Sequence, residues 1–224
     1  MMEDLSAQRR AMVARYRAAG YITSERVAEA MLRVPREEFM APDLREYAYV
    51  DSPSPIPGDG RQTISAPYIY PVTYEPLKLG KGDRFLEVGA GSGYGAAVAR
   101  ELVGKEGLVV AIEINEGTHK FAEENLERTG YGDVKLILGD GTLGYPEGAP
   151  YHAINVTAAS PDFPPPLVEQ LAPLGRMIAP IGAVTIYGQD LVLLAKGRGG
   201  EQTRRTLMQV AYVPLIGEHG WTRR

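Results

Sequence analysis

The 224-residue chain has no cysteine, an absence that removes disulfide frameworks, zinc-finger patterns and thiol nucleophiles from consideration. Histidine is nearly as scarce. His119, His152 and His219 are scattered without metal-ligand spacing, so no metal site is expected. No run of about eighteen apolar residues occurs, which predicts that no helix crosses a membrane. The opening Met1-Met2-Glu3-Asp4 is acidic and lacks an apolar h-region, so no secretory signal is expected and the cytoplasm is the default location. Basic residues are not in excess either. With 24 Lys and Arg against 28 Asp and Glu the net charge is −4, which speaks against sequence-independent binding of nucleic acid.

What remains is an ordinary globular composition, 44% hydrophobic and 23% charged, long enough for a substantial core. Residues 5–19 and 24–34 read as two helices, the second capped by Ser24 and ended by Pro35. The Pro-, Gly-, Asp- and Ser-rich stretch 47–60 reads as a loop, and Pro67 suits the first turn of a helix over 67–79. Strands are then expected at 84–88, 108–112, 134–138, 153–156 and 176–180, alternating with helices at 94–103, 115–129 and 166–171. Near-continuous apolar strands between helices predict a doubly wound, mostly parallel α/β sheet, Rossmann-like in kind. Segments 189–196 and 206–213, separated by Gly197-Arg198-Gly199-Gly200, predict an antiparallel hairpin at its edge. Residues 1–80 are expected to form helices and an active-site loop packed on a cofactor-binding core of residues 81–224, one compact domain in all.

The chemistry concentrates in two segments. Glu87-Val88-Gly89-Ala90-Gly91-Ser92-Gly93 joins a strand to a helix through a glycine-rich turn, where backbone approaches a ligand and the helix offers free N–H groups. Gly91, Gly93 and Ala96 also satisfy the dinucleotide spacing, so a dehydrogenase has to be weighed. Glu87 decides against it, because a carboxylate there repels a pyrophosphate but suits a cationic amino-acid group. Glu113, at the end of the next strand, can accept hydrogen bonds from ribose hydroxyls. Asp140, with Gly141 beside it, can accept from an adenine amine, although Gly139-Asp140-Gly141 also reads as a tight turn. A ribose and an ammonium without a phosphate point to S-adenosylmethionine, with S-adenosylhomocysteine as product. Ser92 lacks the five-residue nucleophile elbow, so a hydrolase triad is not expected.

The second segment, Gln62-Thr63-Ile64-Ser65-Ala66-Pro67, carries a resemblance when taken together with several others. These are Arg36-Glu37-Glu38-Phe39, Ala48-Tyr49-Val50-Asp51, residues 86–94, Gly139-Asp140-Gly141, Ala149-Pro150-Tyr151, Val156-Thr157-Ala158, Glu169-Gln170-Leu171, Gly175-Arg176-Met177 and Tyr212-Val213-Pro214-Leu215. Together they resemble the protein-L-isoaspartate (D-aspartate) O-methyltransferase family. The resemblance implies a carboxyl methyltransferase that acts on L-isoaspartyl, and possibly D-aspartyl, residues of damaged peptides and proteins. It places Ser65 beside the methyl group and the substrate carboxylate. It assigns Glu87, Gly89, Gly91, Gly93, Glu113, Asp140 and Gly141 to the cofactor, and Thr63, Ser65, Tyr68, Tyr212 and Val213 to the substrate. A relative acting on a dedicated peptide and a non-catalytic cofactor binder stand as alternatives. Five departures bear on the choice: a long polar loop at 55–61, Tyr68 where many members have histidine, His152 in place of a common aspartate, Leu174 interrupting a glycine pair, and Tyr70, Pro71 and Tyr74, which make the helix after Ser65 unusual.

Two further readings stay open at this level. Ser65 either donates to the substrate carboxylate or caps the helix beginning near Pro67. Arg61 either steers an anionic substrate toward the site or is a solvated loop residue.

Overall fold

The computed structural model describes residues 4–183 and 188–222. Two helices open the chain. Helix α1 (Leu5–Ala18) is capped by Asp4, whose carboxylate accepts from the Ser6 N–H, and α2 (Glu25–Arg33) is capped by Ser24, which accepts from the Val27 N–H at 3.3 Å. Two 3-10 segments, Arg36–Phe39 and Pro42–Tyr47, lead into a short antiparallel ribbon of β1 (Ser54–Pro55) and β2 (Thr63–Ile64). The stretch expected to be loop at 47–60 therefore contains one of these strands.

Helix α3 spans Ile69–Leu77, starting two residues after Pro67. The Ile69 and Tyr70 N–H groups first close 3-10-type turns onto Ala66 and Pro67, and Pro71 then falls in the first helical turn, where no intrahelical N–H is needed. Glu75 on α3 gathers four donors at 2.7–3.0 Å, the N–H and hydroxyl groups of Thr23 and Ser24. Burial alone would raise this carboxyl, but those hydrogen bonds win and hold its pKa below the usual range.

The remaining elements are β3 (Arg84–Val88), α4 (Tyr94–Val103), β4 (Leu108–Glu113), α5 (Glu116–Thr129), β5 (Lys135–Leu138), β6 (Tyr151–Val156), α6 (Pro165–Gln170), β7 (Leu171–Gly182), β8 (Gln189–Lys196) and β9 (Gln202–Val210). They form one 7-stranded sheet in the order β5-β4-β3-β6-β7-β8-β9. Strands β5, β4, β3, β6 and β7 run parallel; β8 and β9 are antiparallel additions at one edge. The expected doubly wound sheet with an edge hairpin is what the chain forms.

Two boundaries differ most from the sequence expectation. Strand β7 begins five residues before Arg176, in a stretch whose Pro173 and Gly175 read as breakers. Leu174 there sits at φ 64, the left-handed region that disfavours a leucine. Strand β9 ends at Val210, and residues 211–215 instead lie beside Ala159, which donates to the Val213 carbonyl and accepts from the Leu215 N–H, each at 2.8 Å.

Alternation along β3 sets the layers. Phe85 packs toward α1–α4, while Leu86 and Val88 pack on the opposite face with Leu167 of α6. Glu87 falls on the Phe85 face and is buried there. Burying each valine or leucine contributes about 1.5–3 kcal/mol, so the central strands form the most firmly held part of the fold. The site is built on their carboxyl ends.

Candidate active site

A cavity of about 980 Å³ opens at the carboxyl edge of β3, β4 and β6, where open α/β sheets bind ligands. Its wall includes Thr63, Ser65, Glu87, Gly89, Gly91, Glu113, Gly141, Tyr212 and Val213. Nine residues chosen from distant parts of the sequence thus meet around one space. Gly93, Asp140 and Tyr68 do not line it.

The glycine turn explains part of this division. Gly91 has φ 56, and a Cβ built on it would point among Ile56 and the Thr63 carbonyl on the cavity side. Gly93, at φ 85, caps α4, and its Cβ would sit 3.0 Å from Leu126, so its role is packing against α5.

Glu113 is 5% exposed and firmly held. Its Oε1 accepts from the Ile114 and Asn115 N–H groups at 3.0 Å each, and its Oε2 accepts from the Gly91 N–H at 3.0 Å. Burial raises its pKa, and these three N–H groups oppose the rise without cancelling it. A carboxylate offers about four acceptor positions. One remains, on Oε2.

Glu87 is the opposite case. It is 1% exposed, and a Cβ on Gly95 would come within 2.2 Å of its Oε1, so only glycine there lets the carboxyl lie against α4. The Asn155 amide reaches Oε1 at 3.4 Å, and Oε2 has no partner. Burial pushes its pKa up to about 8, against weaker help from Asn155 and the Ala96 N–H. Glu87 is therefore mostly neutral at pH 7 and holds an unused buried acceptor. Asn155 was missed by sequence reasoning, although a lone polar residue inside the apolar strand 153–156 was a visible signal; it pairs directly with Glu87 in register.

Asp140 has other work. Its Oδ1 accepts from the Thr142 N–H and hydroxyl at 2.8 and 2.7 Å, and its Oδ2 accepts from the Glu218 N–H at 2.8 Å. It caps a 3-10 turn and fastens the segment carrying Trp221 and Thr222, which line the cavity. Neither of those two was anticipated.

Ser65, also in the cavity wall, is half-buried and does not cap α3. The capping position is Tyr68, and no side chain caps that helix, which removes the capping alternative. The Tyr212 phenol lies close enough to Ser65 for the serine to act on its pKa, which burial raises and Ser65 pulls the other way. Gln189, missed in the sequence, holds the Tyr212 main chain on both sides at 2.7 and 3.0 Å. The main-chain groups of Tyr212 and Leu215 and the Val213 carbonyl are thus committed. Tyr68 donates its N–H to Asp51 at 3.2 Å and stacks 6.1 Å from Tyr21, beside the cavity rather than in its wall.

Of the departures noted in the sequence, His152 lies at the opposite edge of the sheet, accepting from the Arg84 N–H at 3.0 Å. The polar loop is part of the site: Asp59, Arg61 and Gln62 line the cavity, and the Pro57 carbonyl is held by the Thr118 hydroxyl at 3.0 Å.

Strand order, edge hairpin and cavity together define an S-adenosylmethionine-dependent methyltransferase fold. Residues 7–220 match the model of the family described as protein-L-isoaspartate(D-aspartate) O-methyltransferase. The chain is 51% identical to the protein-L-isoaspartate O-methyltransferase of Methanopyrus kandleri, covering 99% of this chain and 98% of that protein. It is 49% identical to that of Hyperthermus butylicus, covering 95% and 90% respectively. A solved protein-L-isoaspartate O-methyltransferase superposes with a TM-score of 0.84 at 32% identity, over 95% of this chain and 67% of that one. A candidate member from Plasmodium falciparum, in complex with S-adenosyl-L-homocysteine, gives 0.79 at 25% identity over 93% and 98%. The chain belongs to the protein-L-isoaspartate(D-aspartate) O-methyltransferase family.

Proposed function

We propose that this protein is an S-adenosylmethionine-dependent carboxyl methyltransferase that esterifies L-isoaspartyl residues in damaged proteins and so starts their repair. The observation that carries the reading is the pair of buried glutamates in the wall of a cavity that Ser65 also lines. Glu87 fits a cationic amino-acid group, because its Oε2 is buried without a partner and, among the described residues, no cationic side chain pairs with it. Glu113, fixed by three N–H groups, offers its remaining acceptor position to a ribose hydroxyl. Gly89, Gly91 and Gly141 lie along the same wall, and the volume of about 980 Å³ suits a nucleoside cofactor with one residue of a peptide.

When bound, S-adenosylmethionine supplies a methyl group on a sulfonium centre. The protein's share of the work is then positional. The acceptor carboxylate is ionised at neutral pH, since free carboxyls titrate near 4, and needs no general base. Ser65 would donate its hydroxyl hydrogen bond to one carboxylate oxygen, aiming the other at the methyl carbon. Thr63, Tyr212 and Val213 would hold the flanking peptide, and Asp140 would act on the adenine end through the segment it fastens. D-Aspartyl residues, which present a carboxylate at a related position, belong to the same proposal.

Transfer of labelled methyl to an isoaspartyl peptide, compared with its normal aspartyl twin, tests the reading. Expected is transfer to the first and not the second; equal transfer to both, or to neither, overturns it. In the same assay Ser65→Ala should lower kcat by about tenfold while S-adenosylhomocysteine affinity stays within about threefold, because the hydroxyl faces the substrate.

A further inference from the structure

Arg36 is the largest fully buried side chain of the described residues, 1% exposed, and the reading above gives it no part. Its Nε donates to the Ala48 carbonyl and its Nη2 to the Ser65 carbonyl, each at 2.8 Å. Its Nη1 is buried with no partner. The guanidinium lies over the rings of Tyr70 and Tyr94, 5.8 and 5.4 Å from their centres, and Tyr70 is itself in the cavity wall. Neighbouring Glu37 is taken by Arg9 at 3.6 Å and by the Tyr49 hydroxyl. Among the described residues no ion pair includes Arg36.

Carbonyl oxygens and ring faces solvate a cation but do not neutralise it. A buried charge without a counter-charge is costly, and proteins keep one where something compensates. Here the charge is bonded to the Ser65 carbonyl, while Arg36 itself is not part of the cavity wall. We propose that Arg36 is a positioning residue for methyl transfer. It fixes the Ser65 main chain, so that the hydroxyl keeps its aim, and it supplies the positive charge against which the substrate's carboxylate is held. The proposal rests on the reading of Ser65 as the carboxylate's hydrogen-bond donor.

Two variants separate charge from geometry. Arg36→Lys keeps the charge but cannot span both carbonyls, and Arg36→Met removes the charge at similar length. Binding of an isoaspartyl peptide and of its twin with that free carboxylate converted to an amide is measured in the presence of S-adenosylhomocysteine, alongside kcat. The wild type should prefer the carboxylate peptide by roughly tenfold or more, as desolvated charge pairs do. Arg36→Lys should keep that preference while kcat falls by about tenfold, the response to a loosened Ser65. Arg36→Met should bind the two peptides almost equally. A preference retained in Arg36→Met, or both peptides weakened equally, would make Arg36 structural only and overturn the proposal. If Arg36→Met does not fold, Arg36→Lys decides: an unchanged kcat overturns it. Failure of the underlying reading looks different, because the wild type itself would then show no preference and no transfer.

Discussion

Glu113 and Glu87 end neighbouring strands, and both are buried carboxyls of the same cavity, yet their surroundings are opposites. Glu113 is surrounded by donors, three main-chain N–H groups holding it in one orientation before any ligand arrives. Glu87 is starved of them, with a long contact to Asn155 and one oxygen alone. The contrast teaches that one sheet edge provides two kinds of recognition. Glu113 is organised in advance and costs little to use. Glu87 is neutral until a cation arrives, so its use is coupled to loss of a proton.

The largest expected effect comes from breaking the organised half. Glu113→Ala strands the N–H groups of Gly91, Ile114 and Asn115, at about 1–3 kcal/mol for each one that water does not reach. Stability should fall by about 2–4 kcal/mol in denaturant titration, and S-adenosylhomocysteine affinity by about a hundredfold in calorimetry. Glu113→Gln should recover only part of either, since its amide nitrogen cannot accept.

Next in size is the proton-coupled half. With a pKa of about 8, Glu87 must lose a proton to meet a cation at pH 7. S-adenosylhomocysteine affinity should therefore rise by roughly fiftyfold between pH 6 and 8 and then level off, following the linkage of charge to binding. Calorimetry in buffers of different ionisation heat should show close to one proton released at pH 7, and Glu87→Gln should abolish that release. The same shift acts on stability with a definite sign. The folded pKa is raised, so the empty protein's stabilisation by protonated Glu87 is complete below the unfolded value near 4.5 and is lost as pH rises through about 8. Glu87→Gln should flatten that decline in thermal melts across this range.

The smallest effect tests whether charge matters outside the two glutamates. Arg61 is exposed and lines the cavity in a loop with Asp59. Arg61→Gln should raise the KM for an isoaspartyl peptide about twofold at low salt, with the difference gone at 1 M salt, where screening reaches about 3 Å. A salt-independent rise would assign Arg61 a direct contact.

How much of this was legible follows from the range of the interactions. Strand β3, helix α4 and strand β8 carry strong local patterns and fall where the sequence puts them. The first residues of β9, Gln202-Thr203-Arg204-Arg205, are exposed and polar on both faces, so no alternation marks them, and the expected strand was displaced toward the apolar 206–213. The site divides in the same way. Its glycine turn and strand-end acids are local motifs. Arg36 meets Ser65 across 29 residues, Gln189 meets Tyr212 across 23, and Asp140 meets Glu218 across 78, and no periodicity encodes such partnerships.

The four hydrogen bonds gathered on Glu75 have a consequence best expressed as tolerance. In-line transfer forgives little, since a displacement of about 1 Å can cost 10²-fold in rate. Ser65 lies just ahead of α3, and Glu75 sets where α3 rests against the start of α2. Because hydrogen bonding keeps that carboxyl ionised below the usual range, mild acid does not release it. Helices α1 and α2 place no residue in the cavity wall. They serve as its gauge, holding the distance across which a methyl group has to travel.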